Sequence, residues 1–355
     1  QGGTTPLGRQ LVIPAMSAAF VNTRVPETAR ELAEAFVAGG GGEVAAVILY
    51  GSQLHRSSPN LYSAWDLVTV VDSFPPFHRA LRASGNHSRS PMLLNLMGTI
   101  LPPYVTAFDP SGEGQPLAKC VVLRRDQFRR AMGRHARDHF LKGRVVQHVE
   151  IVWARTPGVA EEIDEIQAAA RRETMDWVGP FMDERPFDAA RYTREMLRVS
   201  FGAELRPESG DRVTEVWGSQ AEWLEKSFAE VLEGAEKDGV LSEVPAAGAE
   251  GGASGGDGGE AARYVLAHPP GAWARLRYRG YFFRSKYRSV VRWFKHVVTF
   301  NDWLTYIQRK VERRTGMKVE LTPAERRWPL LLLWPKVVRV LREGRRVRRI
   351  EEPDA

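Results

Sequence analysis

The fold is decided by Glu43-Val44-Ala45-Ala46-Val47-Ile48-Leu49-Tyr50-Gly51-Ser52, and by Asp66-Leu67-Val68-Thr69-Val70-Val71-Asp72 after a polar loop. Each contains an apolar run rich in Val, Ile and Leu and bounded by turn residues, so each predicts a buried strand. The first run ends in the Gly51-Ser52 turn, and the second opens on a carboxylate, Asp66.

A glycine-serine corner beside a strand headed by Asp is the skeleton of a nucleotidyltransferase palm. Backbone N–H groups at the corner can cradle a triphosphate, and the carboxylate can hold Mg²⁺. The position two residues after the Asp, where a second acid would share its strand face, is Val68. Asp72 is six residues on, roughly 20 Å at about 3.3 Å per residue. Two metal ions lie about 3.5–4 Å apart, so a second metal ligand is expected from elsewhere in the chain.

The 355 residues suffice for two domains and a sizeable core, and 43% apolar with 26% charged residues is ordinary for a soluble protein. One cysteine, Cys120, excludes an internal disulfide and a thiolate cluster; it fits a small core residue in a reducing compartment. The chain opens on Gln1, so a preceding segment is expected. No signal-peptide pattern is visible, and no apolar run reaches the roughly 20 residues of a membrane span. The net charge of +7 is unevenly spread: residues 261–355 hold 23 Lys and Arg against 8 Asp and Glu, and the remainder 27 against 35. An acidic front is joined to a basic back, which should seek an anionic surface.

Along the chain, Pro26–Val37 predicts a helix capped near Thr23, ended by Gly39–Gly42. Pro75–Ser90 reads as a polar loop or short helix, Pro91–Ile100 as a helix, Tyr104–Phe108 and Ala118–Leu123 as strands, Asp126–Gly143 as a helix and Val145–Trp153 as a strand. Gly158–Gly234 has helical periodicity. Residues 245–260 hold seven glycines in sixteen positions and predict a flexible linker. The expected class is α+β, a mixed sheet with helices followed by a helical domain and a basic helical region. Its expected parts are a catalytic domain at 26–155, a helical domain completing the site at 156–244, a linker at 245–261 and a membrane-associating region at 262–355.

That last region interleaves aromatic residues (Trp273, Tyr281, Phe283, Tyr287) with Arg275, Arg277, Arg279 and Arg284, then reaches Trp328-Pro329-Leu330-Leu331-Leu332-Leu333-Trp334 and a further basic run. Indole rings settle at headgroup level and cations meet anionic lipid, so Trp328, Leu331, Leu332, Trp334, Arg339 and Arg342 are the expected membrane contacts. The same interleaving could stack single-stranded nucleic acid.

Several motifs in order resemble the mitochondrial-type phosphatidate cytidylyltransferases, the translocator assembly and maintenance CDP-diacylglycerol synthases. Tyr50-Gly51-Ser52 resembles the family's nucleotide turn, and Asp66–Asp72 its metal strand. Phe77-His78 and Asn86-His87-Ser88 resemble the loop that follows. Tyr104–Pro110 is similar to a family strand, with Asp109 in an Asn position, and Lys119 and Leu141-Lys142-Gly143-Arg144 resemble later segments. Ser200-Phe201-Gly202-Ala203-Glu204-Leu205-Arg206 is similar to a Ser-Tyr-x-Gly-Asp-x-Arg segment, with Glu204 in the Asp position. The likeness covers roughly residues 45–235.

The resemblance implies transfer of a cytidylyl group from CTP to phosphatidic acid, giving CDP-diacylglycerol and pyrophosphate, with Mg²⁺. It implies Asp66 and Glu204 as metal ligands, Lys119 and Arg144 as phosphate-neutralising cations, and Tyr50, Gly51 and Ser52 around the nucleotide. His78, His87 and Arg206 are candidates for substrate phosphate, although a lone histidine is more often structural. The expected partners are CTP, phosphatidic acid and an anionic membrane surface, with nucleic acid not expected. The expected location is peripheral, on the cytoplasmic face of a bacterial inner membrane or the matrix face of the mitochondrial one. Two other readings remain: the same palm with an RNA, protein or small-molecule acceptor, and a membrane adaptor on a degenerate palm. The oligomeric state is left open.

Overall fold

The computed structural model describes residues 19–55, 63–110, 116–203, 212–244 and 262–299, with 321–322, 324–325 and 335–336. The chain divides into two units, residues 1–299 and 300–355. The first is an α+β unit built on six strands: β1 (Phe20–Val21), β2 (Val44–Tyr50), β3 (Trp65–Val71), β4 (Tyr104–Phe108), β5 (Ala118–Arg124) and β6 (Glu150–Ala154). Their order across the sheet is β1-β6-β2-β3-β5-β4. The β3–β5 pair is parallel; the other pairs are antiparallel.

Helices α1 (Glu27–Gly40), α2 (Phe74–Ala83) and α3 (Pro91–Ile100) are joined in the chain to these central strands. Leu32, Ala33, Phe36 and Val37 of α1 and Phe74, Phe77 and Leu81 of α2 share one core with Val47, Leu49, Leu67, Val71, Cys120 and Val122. Phe36 meets Phe108 edge-on at 4.8 Å and Phe77 at 6.0 Å. The α1 helix begins at Glu27 behind Pro26, without the side-chain cap expected near Thr23.

Two sequence expectations shift locally. The helix expected from Asp126 to Gly143 is instead α4 (Arg125–Met132), ended by extended backbone at Gly133, and a separate short turn, α5 (Lys142–Val145). The strand expected from Val145 starts five residues later, at Glu150. A buried Lys142 accounts for the break: its Nζ donates to Gly133 O and Glu173 at 2.9 Å each, which pins the chain across the gap.

The helical stretch consists of α6 (Pro157–Arg172), α7 (Thr174–Val178), α8 (Ala189–Gly202), α9 (Arg212–Gly218) and α10 (Ala221–Lys237), with α10 packed on α8 and α6. Thr156 and Asp188 cap α6 and α8 through side-chain oxygens. The short strands β7 (Leu241–Val244) and β8 (Arg263–Leu266) pair antiparallel. The expected linker between them lies outside the described residues.

The long helix α11 (Ala272–Thr299) carries eight Lys and Arg and no acidic residue. It packs on β4 and α3, within the first unit. Buried polar anchors hold it there. Arg288 and Arg292 converge on Asp138 at 2.7 and 2.8 Å. Lys295 Nζ donates to the carbonyls of Met97, Leu101 and Pro103 at the end of α3, and Thr299 donates to Val105 O at 3.1 Å. Burial, then Arg292 and Arg288, push the Lys295 ammonium down to about 7. In the second unit Lys336 meets Glu325 at 2.8 Å.

Asp138 is the carboxylate that lets Arg292, 1% exposed, remain charged inside the protein. Removing one partner of a buried ion pair costs about 3–5 kcal/mol. Asp138→Asn should lower the unfolding free energy by roughly that amount in urea denaturation; a loss under about 0.5 kcal/mol, the scale of an ordinary surface substitution, would contradict the anchoring role.

Candidate active site

Strand register builds the site. Tyr50 of β2 lies opposite Asp66 of β3, Asp66 beside Lys119 of β5, and Lys119 opposite Ala107 of β4. Paired residues in adjacent strands point to the same sheet face, so Tyr50, Asp66 and Lys119 form a row across one end of the sheet. Asp66 and Lys119 interrupt otherwise buried strands near the same end. Lys119 Nζ lies 3.7 Å from Asp66 Oδ1, with the two side chains 35% and 31% exposed. This is a loose ion pair open to solvent, of small energetic weight but with both charges available to a ligand.

Gly51 closes the corner. Its φ is +85°, in the left-handed region, and a Cβ there would lie 3.0 Å from Asp66 Oδ2. Glycine is thus required twice, for its backbone angle and for the approach to the carboxylate. The turn is tied by Leu54 N to Gly51 O at 3.1 Å, and buried Gln53 donates to Ser63 O at 3.1 Å. Ser52 is exposed at its tip.

An aromatic and charged rim borders the same sheet end. The His55 ring lies 5.0 Å from His148, which stacks on Trp223 at 4.9 Å. His148 donates to Glu150 at 3.1 Å, and Asn22 donates to the other Glu150 oxygen at 3.0 Å. These bonds, the one from His148 foremost, hold Glu150 below the usual carboxylate range. Glu150 lies opposite Leu49, the residue before Tyr50. Sequence reading missed this rim because His55, the His148–Glu150 pair and Trp223 lie far apart in the chain and none belongs to a local motif.

Arg144 donates to Phe140 O and stacks over the Phe140 ring at 4.1 Å, close enough to Arg292 to depress its pKa, so it lies beside the Asp138 cluster. Glu204, Arg206, Trp328, Leu331, Leu332, Trp334, Arg339 and Arg342 lie outside the described residues. Asp72, at the far end of β3, pairs with Arg155 and Arg125.

His78 and His87 require a correction. They are 1% and 3% exposed, and they bond to the opposite sheet face from Asp66. His78 Nδ1 donates to Asn95 at 2.5 Å and Nε2 accepts from Tyr104 at 2.6 Å. His87 Nδ1 accepts from Arg89 N–H, and Nε2 donates to Thr106, both at 3.1 Å. Tyr104 and Thr106 alternate with Ala107's face, as strand geometry dictates. With both ring nitrogens satisfied internally, these histidines are core residues and do not reach a phosphate.

As a metal site the corner offers one hard carboxylate, Asp66, with glycine on one side and an exchangeable lysine on the other. That suits a single oxygen ligand to Mg²⁺. Among the described residues no group of three or more His, Cys, Asp or Glu is placed to hold a metal. No family model matches the sequence, and no curated protein matches it.

Burial foremost pushes His55, His78 and His87 down to about 4 from an ordinary 6.5. The unfolded chain therefore takes up these protons first. Their contribution to stability is intact above about pH 6.5 and is lost as pH falls toward 4. By pH 5 each fully buried ring, His78 and His87, should cost roughly 1–2 kcal/mol. Histidine NMR titrations should show both rings still neutral at pH 5; midpoints near 6.5 would contradict their placement.

Proposed function

We propose that this chain is a nucleotidyltransferase built on a palm, and that it transfers a cytidylyl group from CTP to phosphatidic acid at a membrane surface. The observation that carries the proposal is the row Tyr50–Asp66–Lys119 closed by Gly51 against the Asp66 carboxylate. A cation, a carboxylate and a glycine-serine turn meet at one sheet end, and the order of motifs along the chain supports CTP and phosphatidic acid as substrates.

In this mechanism an oxygen of the lipid phosphate attacks the α-phosphorus of CTP. The new P–O bond forms as the α–β anhydride breaks, and pyrophosphate leaves with the electron pair. A phosphomonoester has its second pKa near 6 and is mostly dianionic at neutral pH, so it needs little general-base help. The obstacle is the approach of two anions, which calls for preorganised positive charge. Lys119 supplies that charge beside Asp66. The amides of Gly51 and Ser52 would orient the triphosphate next to Tyr50, which lies opposite Asp66. Asp66 would ligate Mg²⁺, which when bound neutralises phosphate charge. Glu204 is the proposed second carboxylate.

The membrane half rests on exposed apolar residues beside cations. On α3, Met92, Leu96 and Ile100 are 80%, 50% and 64% exposed at helical spacing, and on α11 Phe283 and Tyr287 are 75% and 66% exposed among arginines. Among the described residues no helix is long and apolar enough to cross a membrane, so a peripheral association is proposed. Exposed Trp273 and Phe283 near Arg277, Arg279 and Arg284 also suit stacking on RNA, which favours an RNA acceptor as the second reading.

The protein with CTP, Mg²⁺ and phosphatidic acid vesicles should release pyrophosphate and form a CDP-lipid. Asp66→Asn should lower kcat/KM by about 100-fold or more, a change of about 2.7 kcal/mol or greater in transition-state stabilisation. Absence of CDP-lipid from the wild type would overturn the proposal, and nucleotide transfer to RNA instead would establish the second reading.

A further inference from the structure

A cavity of about 200 Å³ opens between α3, α4 and α11. Its apolar walls include Pro103, Leu123 and Leu141, and its polar lining is dominated by four arginines, Arg124, Arg130, Arg137 and Arg288. Leu123 lies four residues along β5 from Lys119, or about 13 Å at about 3.3 Å per residue. The cavity is therefore separate from the Asp66 corner.

Among the described residues its charge is not balanced. Asp126 accepts from Arg124 and from Arg130. Asp138 accepts from Arg288 and from Arg292, the latter outside the lining. Four guanidiniums thus share two carboxylates. Arg137 is exposed, and among the described residues no carboxylate pairs with it. A cavity with surplus guanidinium charge is suited to an anion.

We propose that this cavity binds a phosphomonoester. Planar guanidiniums grip phosphate oxygens in pairs, and a dianion with three terminal oxygens uses several arginines where a phosphodiester monoanion uses fewer. The apolar walls accept the carbon next to the phosphate. The group comes either from a small soluble metabolite or from a lipid headgroup. Exposed Ile100 follows Thr99 of the lining, and exposed Tyr287 precedes Arg288, which would let the mouth meet a bilayer. The site goes beyond the nucleotidyltransferase reading and does not depend on it.

The test uses the full chain. Glycerol 3-phosphate is titrated by calorimetry, and phosphatidylcholine vesicles containing phosphatidic acid, or phosphatidylglycerol at matched charge, are tested by co-sedimentation. Arg130→Gln/Arg137→Gln changes two exposed side chains and should keep the fold, checked by circular dichroism and Tm; Arg137→Glu alone serves as a second variant. The expected result is phosphomonoester binding weakened at least tenfold by either variant and unchanged in Asp66→Asn. Binding of glycerol 3-phosphate would identify a soluble ligand, and selective binding of phosphatidic acid vesicles alone a lipid headgroup; both support the site. Equal affinity in wild type and variants, equal affinity for sulfate, or loss only in Asp66→Asn would overturn it.

Discussion

The parallel pairing of β3 with β5 is the constraint on which the molecule's chemistry depends. It sets Asp66 beside Lys119, while the antiparallel β2–β3 pair sets Tyr50 opposite the same carboxylate. A slip of one residue in either pairing would turn the charged partner to the other sheet face. The slip is opposed by burial: Leu67, Cys120 and Val122 belong to the α1–α2 core, and none is more than 1% exposed. The apolar register thus fixes the polar one, and an ion pair too exposed to contribute much stability is held by the core beneath it.

The two sheet faces divide the polar groups by purpose. On the face covered by α1 and α2, His78 and His87 are neutral rings whose hydrogen bonds tie α2 and the following loop to Asn95 and β4. On the other, charges remain reachable at Asp66 and Lys119. The long basic helix adds a third environment. Its inner cations are consumed by Asp138 and by the carbonyls ending α3, while Arg277, Arg279 and Arg284 stay at the surface. One run of residues without a carboxylate therefore serves both as a structural clamp and as a cationic surface.

Much of the sheet was legible in the sequence. Three central strands, β2, β3 and β5, were marked by Val-rich runs, and Asp66 stood out because a carboxylate heads an otherwise apolar strand. The partnership with Lys119 was legible only as a resemblance, since pairing between strands more than 50 residues apart leaves no periodic trace. The misplacement of the last strand has a local cause: Val145 and Val146 are apolar enough to continue a strand pattern but complete a helical turn at α5. His78 beside Phe77 carried no sign of whether its ring faced solvent; burial, which sequence does not display for a single residue, settled that. The Glu150–His148–Trp223 rim brings together α10, β6 and the preceding loop, and only the folded chain puts them in contact.

The central claim is that a nucleotide sits at the corner made by Gly51 and Asp66. Amide hydrogen–deuterium exchange with and without Mg·CTP reads this residue by residue. The account predicts added protection in peptides spanning Tyr50–Leu54 and Trp65–Leu67, abolished in Asp66→Asn. Protection confined to other segments, or none at saturating Mg·CTP, would contradict it.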